Sequence, residues 1–179
     1  MLILDIPATE FFDDDKQEFI QTKSVALRLE HSLVSVSKWE SKWKKPFLSA
    51  KGLTSEQSID YIKCMTMNQN VDPLVYNVIS NEQMAEVSKY ISEERTATTF
   101  NEHGGPPNRQ VITSELIYFW MAQYNIPFEC QKWHLSRLLT LIRIASIKNA
   151  PEKKMSQRAV MSRNQSLNAA RRKAMRTKG

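Results

Sequence analysis

The chain has 179 residues, 41% of them hydrophobic and 25% charged, a composition that excludes full disorder and fits one medium domain with an appendage. No apolar run approaches the roughly 20 residues of a membrane span, and the opening residues lack the basic region of a secretory signal. The net charge of +6 is unevenly held: residues 148–179 carry +9 and residues 1–147 carry −3, so the basicity belongs to a tail.

Leu2-Ile3-Leu4 predicts a short strand, and the Asp13-Asp14-Asp15 cluster that follows predicts a loop or arm. Val25, Leu27 and Leu29 alternate with Ala26, Arg28 and Glu30, the period of a half-buried strand. From Leu33 the period changes: Val36, Trp39 and Trp43 share one helical face until Pro46 ends the helix. Thr54 with Gln57 and Ser80 with Gln83 match the capping box that opens a helix. The first cap precedes Ile59, Ile62 and Met65; the second precedes Met84, Val87 and Ile91. Residues 68–73 read as a turn, and 96–109, with His103-Gly-Gly-Pro-Pro107, as an exposed loop.

Thr113 or Ser114 can cap a helix running to Tyr124. Asn125-Ile-Pro127 breaks it, and one long helix is expected from about Phe128 to Ile147, with Leu135, Leu138, Leu139, Ile142 and Ala145 along a stripe. After Pro151, Ser156 can cap a basic helix of about 20 residues, roughly 30 Å long. The expected fold is mainly α (α+β). A compact helical domain over 1–150 carries a small N-terminal β element, and a protruding basic helical tail occupies 151–179.

Candidate chemistry is sparse. His31, His103 and His134 fall on separate elements without a second His or Cys at ligand spacing, so no metal site is expected. Cys130 and His134 stand four apart on one predicted helix, a poor way to assemble a thiolate–imidazole pair, and a buried thiol is the preferred reading. Neither cysteine makes a metal-like or redox pair, which predicts an intracellular chain without disulfides. Gly104-Gly105 lacks the residues of a phosphate-binding loop. The sequence therefore predicts neither an enzyme nor a cofactor. Trp39, Trp43, Trp120 and Trp133 are read chiefly as core. The basic tail has three readings: a solvated helix, a phosphate-neutralising arm for nucleic acid, or a helix docking on an acidic or helical partner. The absence of aromatic residues after Trp133 argues against base stacking by the tail, and docking is preferred narrowly over the solvated helix.

Several blocks together resemble one protein family. They are LEHSLVSVSKWESKWKKPFL (29–48), TATTF (96–100), ITSELIYFWM (112–121) and IPFECQKWHL (126–135), with KKMS (153–156) and LNAARR (167–172) near the end. The set is similar to the tail assembly chaperones of long-tailed bacteriophages and prophages, over nearly the whole chain. The resemblance implies a non-enzymatic assembly factor in the host cytoplasm. It would bind the phage tape measure protein, keep it soluble and help recruit tail tube protein, with self-association left open. The expected contact surface comprises Lys153, Lys154, Arg158, Arg163, Arg171, Arg172, Lys173 and Arg176 of the tail with Trp120, Met121, Leu138 and Ile142. The alternatives are a nucleic-acid-binding phage accessory protein using the tail, and a structural virion component such as a head–tail connector.

Overall fold

A computed structural model describes residues 1–13, 18–50, 52–100, 110–150 and 157–176. Its N-terminal β element follows from two short apolar alternations. Strand β1 (Leu2–Ile6) pairs antiparallel with β4 (Val25–Leu29), and between them β2 (Glu10–Asp13) pairs antiparallel with β3 (Glu18–Gln21). The two ladders share one register, since every partnered pair has residue numbers adding to 31. Thr9 and Thr22 keep that register between the ladders, through Thr22 N–H donating to the Thr9 carbonyl at 2.9 Å. The expected loop after β1 is thus replaced by a second strand pair. Phe11-Phe12 and Phe19-Ile20 are consecutive apolar residues, so the sequence shows no alternation to read there. Asp14 and Asp15 of the acidic cluster lie outside the described residues.

In β1 and β4 the pleat turns Leu4, Ile6, Leu27 and Leu29 inward, all essentially inaccessible, and leaves Ile3, Asp5, Ala26 and Arg28 exposed. Full burial of each such side chain stabilises by roughly 1.5–3 kcal/mol. The open edge of β4 is covered by the chain leaving the second helix. Glu30 N–H donates to the Met65 carbonyl and Met67 N–H to the Arg28 carbonyl. The Asn68 side-chain amide continues this pattern, accepting from Arg28 N–H at 2.7 Å and donating to the Ala26 carbonyl at 3.0 Å. An exposed strand edge is thereby satisfied without a third strand.

Helices α1 (Leu33–Trp43), α2 (Ser55–Met65), α3 (Asn81–Ser92), α4 (Ser114–Gln123) and α5 (Leu135–Asn149) supply the remaining core. Both predicted capping boxes form, at Thr54/Gln57 and Ser80/Gln83, and a third opens α1 at Ser32/Ser35. Lys44 ends α1 in the left-handed region at φ 55°, ahead of Pro46. Leu33, Val36 and Trp39 of α1 meet Tyr61, Ile62 and Met65 of α2, Ile117 and Met121 of α4, and Leu135, Leu138 and Ile142 of α5.

The long helix expected from Phe128 is instead a 3-10 segment, Phe128–Lys132, followed by α5 from Leu135. The interruption has a cause. Ser32 and His134 form an isolated antiparallel bridge, and Leu135 N–H donates to the His31 carbonyl at 2.8 Å, which commits this backbone to the end of β4 rather than to a continuous helix. Of the expected exposed loop, residues 101–109 lie outside the described set.

The chain divides into two units, Met1–Ser146 and Ile147–Gly179. The second contains α6 (Gln157–Met175), of 19 residues. Its capping residue Ser156 lies outside the described residues. Among the described residues, the α-helices α1 to α6 and the antiparallel N-terminal strands make this a mostly helical α+β fold with a C-terminal helix.

Candidate functional site

Helical phase sorts the predicted contact residues. In α4, Ile117 and Met121 are four apart and take the core-facing stripe. Met121 is accordingly inaccessible, and so are Leu138 and Ile142 on the corresponding stripe of α5. These three are corrected from contact residues to core residues, since a partner reaches them only by opening the domain. Trp120 is half-buried against the core. Phe119 lies two residues from both Ile117 and Met121, a phase that turns it outward, and its side chain is 60% exposed. Phe128 is also exposed, and its ring lies 6.3 Å from that of Tyr118. The sequence reading missed Phe119 and Phe128 by taking the whole apolar run as one surface. Counting helical phase separates Phe119 from Ile117 and Met121 only once the core-facing stripe of α4 is known.

Arg158, Arg163, Arg171, Arg172, Lys173 and Arg176 are all exposed, and α6 contains no acidic residue. Val160, Met161, Leu167 and Met175 are exposed beside them. Lys153 and Lys154 lie outside the described residues. On this helix cationic and apolar groups are presented together, and stems of Arg and Lys can lie along apolar surface while their heads stay solvated.

The domain interior holds a polar cluster that the sequence did not announce. His31 and His134, placed on separate predicted elements, stand with ring centroids 5.2 Å apart and both are buried. His31 Nδ1 meets the Tyr61 hydroxyl at 2.5 Å, and Tyr61 lies 3.4 Å from the Ser35 hydroxyl. His134 Nδ1 meets the Ser136 hydroxyl at 2.8 Å, and Nε2 approaches the Tyr90 carbonyl at 3.2 Å. Burial, with the neighbouring His134 adding repulsion, lowers the His31 pKa to about 4. Burial also lowers that of His134 and pushes the Tyr61 hydroxyl well up. Both nitrogens of His134 are engaged by groups other than Cys130, which is itself buried. The pairing of Cys130 with His134 therefore does not assemble. The arrangement joins the end of β4 to the start of α5 and is satisfied within the core.

A second buried group performs a similar joining task. Glu40 of α1 is 7% exposed, and its carboxylate accepts from Phe47 N–H at 2.8 Å and from Ser114 N–H at 2.7 Å. Ser114 is the first residue of α4, so a negative charge meets the unsatisfied amides of a helix start. Asp60 of α2 is likewise buried and pairs with Lys42 and, at 3.7 Å, with Lys63. The hydrogen bond to Asp60 raises the pKa of Lys42.

An open groove of about 380 Å³ runs beside α5, lined by Thr96, Thr98, Phe100, Ser136, Thr140 and Arg143 among others, with the Arg143 guanidinium 4.1 Å from the Phe100 ring centre. Among the described residues no group of three or more His, Cys, Asp or Glu is placed to hold a metal ion, and no helix is long and apolar enough to cross a membrane. Compared with protein-family models, curated proteins and solved structures, the chain matches none.

Proposed function

We propose that this protein is a non-enzymatic tail assembly chaperone of a long-tailed phage, acting in the host cytoplasm by binding the tape measure protein and assisting tail tube assembly. The resemblance of the blocks at 29–48, 96–100, 112–121 and 126–135 to that family is the ground for the name. The structural observation that carries the mechanism is α6, an exposed helix that joins cations to the apolar residues Val160, Met161, Leu167 and Met175. Such a helix suits a long helical client, whose apolar face it would cover while its basic residues meet acidic ones. Phe119 and Phe128 replace Met121, Leu138 and Ile142 as the domain's contribution to the contact.

Co-expression with the tape measure protein tests this reading by pull-down and by the soluble fraction of the client. The full chain should bring the client into the soluble fraction, and a chain ending at Ala150 should lose most of that effect. Phe119→Ser should weaken it without altering the fold. Absence of association, together with steeply salt-dependent DNA or RNA binding, would replace the chaperone with the nucleic-acid-binding alternative. Recovery of the protein from purified virions would favour the structural component instead.

A further inference from the structure

Helical phase divides α6 into faces that its composition conceals. At about 100° per residue, Val160, Met161, Leu167 and Met175 fall within one arc about 120° wide, and all four are exposed. The opposite side holds Ser162, Ser166, Ala169 and Lys173. The helix thus has one apolar stripe, of the width by which a helix is laid against a neighbour.

The cations are not equivalent on this map. Arg158, Arg163, Arg172 and Lys173 lie roughly 85° or more from the middle of the arc, where long stems can hold their heads in solvent beside an apolar contact. Arg171 lies about 15° from the middle, one turn after Leu167 and one turn before Met175, and is exposed. Asn164 lies two turns earlier on the same line. Of the cations in this helix, Arg171 alone falls within the stripe.

A helix laid along this stripe closes over the Arg171 guanidinium. Taking an ionised group out of water without a partner is costly, so a partner with an uninterrupted apolar stripe is penalised. One that places a carboxylate at that point is matched by charge-assisted hydrogen bonds in the guanidinium's fork geometry. A second α6 cannot supply this, since the helix contains no acidic residue. The marginal cations attract acidic helices in general, but salt screens them and they tolerate many arrangements.

We propose that Arg171 is the specificity-determining residue of the client contact, an inference that rests on the chaperone reading above. Helix α6 pairs with an amphipathic helix whose apolar stripe is interrupted by one Asp or Glu, and Arg171 takes that carboxylate inside the seam. A single polar residue in a helical seam fixes register in this way, and here it selects one segment along a long helical client.

Two synthetic helical peptides of the length of α6, 19 residues, test this by titration calorimetry against the full chain. They share one composition. In the first a Glu interrupts the middle of a Leu stripe; in the second that Glu has changed places with a Gln on the outer face. Wild type should bind the first at least ~10-fold more tightly. Arg171→Leu should lose that discrimination, Arg171→Glu should transfer it to a peptide with Lys in the stripe, and Arg172→Leu should weaken both isomers alike. Circular dichroism checks that each variant keeps its helix. Equal affinity of wild type for the two isomers, or no binding of either, would overturn the proposal. So would equal effects of the substitutions at 171 and 172, the result expected of a phosphate-binding arm. Co-expression separates this inference from the chaperone reading. An Arg171→Leu chain that solubilises the tape measure protein as well as wild type overturns the role of Arg171 and leaves the chaperone standing. A wild type that solubilises no client, yet discriminates the peptides, removes the chaperone and keeps the helix preference.

Discussion

The buried histidines give the domain an acid-sensitive seam. Desolvation holds His31 neutral, with its pKa near 4 instead of 6.5. The surrounding groups are His134, Tyr61, Tyr90, Glu30 and Arg95, of which Glu30 acts in the opposite direction on His31. Between these two pKa values the unfolded chain binds more protons than the folded one, so stability is full above about pH 6.5 and falls as pH drops. His31 alone should remove about 2 kcal/mol between pH 7 and pH 5. Urea unfolding should show that loss in wild type and much less of it in His31→Gln. Equal slopes would mean that His31 does not titrate as its burial implies. Glu40 makes an independent prediction. Glu40→Gln puts an amide donor against one of two backbone donors, and should destabilise by about 2 kcal/mol in the same assay. None of this pairing was legible in the sequence. Residues 31 and 134 meet through the backbone bridge between Ser32 and His134, and 40 and 114 because α1 packs on α4, and neither pair leaves a local period or motif.

At the scale of elements, the legible parts were those with local causes. The side-chain oxygens of Thr54 and Ser80 accept from backbone amides three residues on, and the start of each helix follows from that. Thr54→Ala and Ser80→Ala should each cost about 1 kcal/mol, seen as a lower urea midpoint at unchanged slope. The alternation over Val25–Leu29 was equally local. The second strand pair was not, because consecutive apolar residues at 11–12 and 19–20 leave no alternation in the sequence. The break at Trp133 was hidden as well, because a tertiary bridge to Ser32 overrides the helical period that runs through it. The candidate surface divided in the same way. The charge of α6 could be counted directly, whereas separating Phe119 from Met121 required knowing which stripe of α4 the core would take.

For the whole molecule, every buried apolar residue lies at or before Ile142 among the described residues. A chain ending at Ala150 should therefore unfold cooperatively with a melting temperature within about 2 °C of the full chain, and loss of a sharp transition would show that the tail is needed for the fold. The shared register of the two strand pairs carries a separate consequence. Because positions 7 and 24 remain in phase with the β1–β4 ladder, the intervening residues behave as a cassette inserted at a hairpin tip. Replacing residues 8–23 with Asn-Gly would close the hairpin by a tight turn while keeping Leu4, Ile6, Leu27 and Leu29 in place. The ribbon is thus a natural site for grafting a foreign loop, and its length can be varied only in matched steps on both arms.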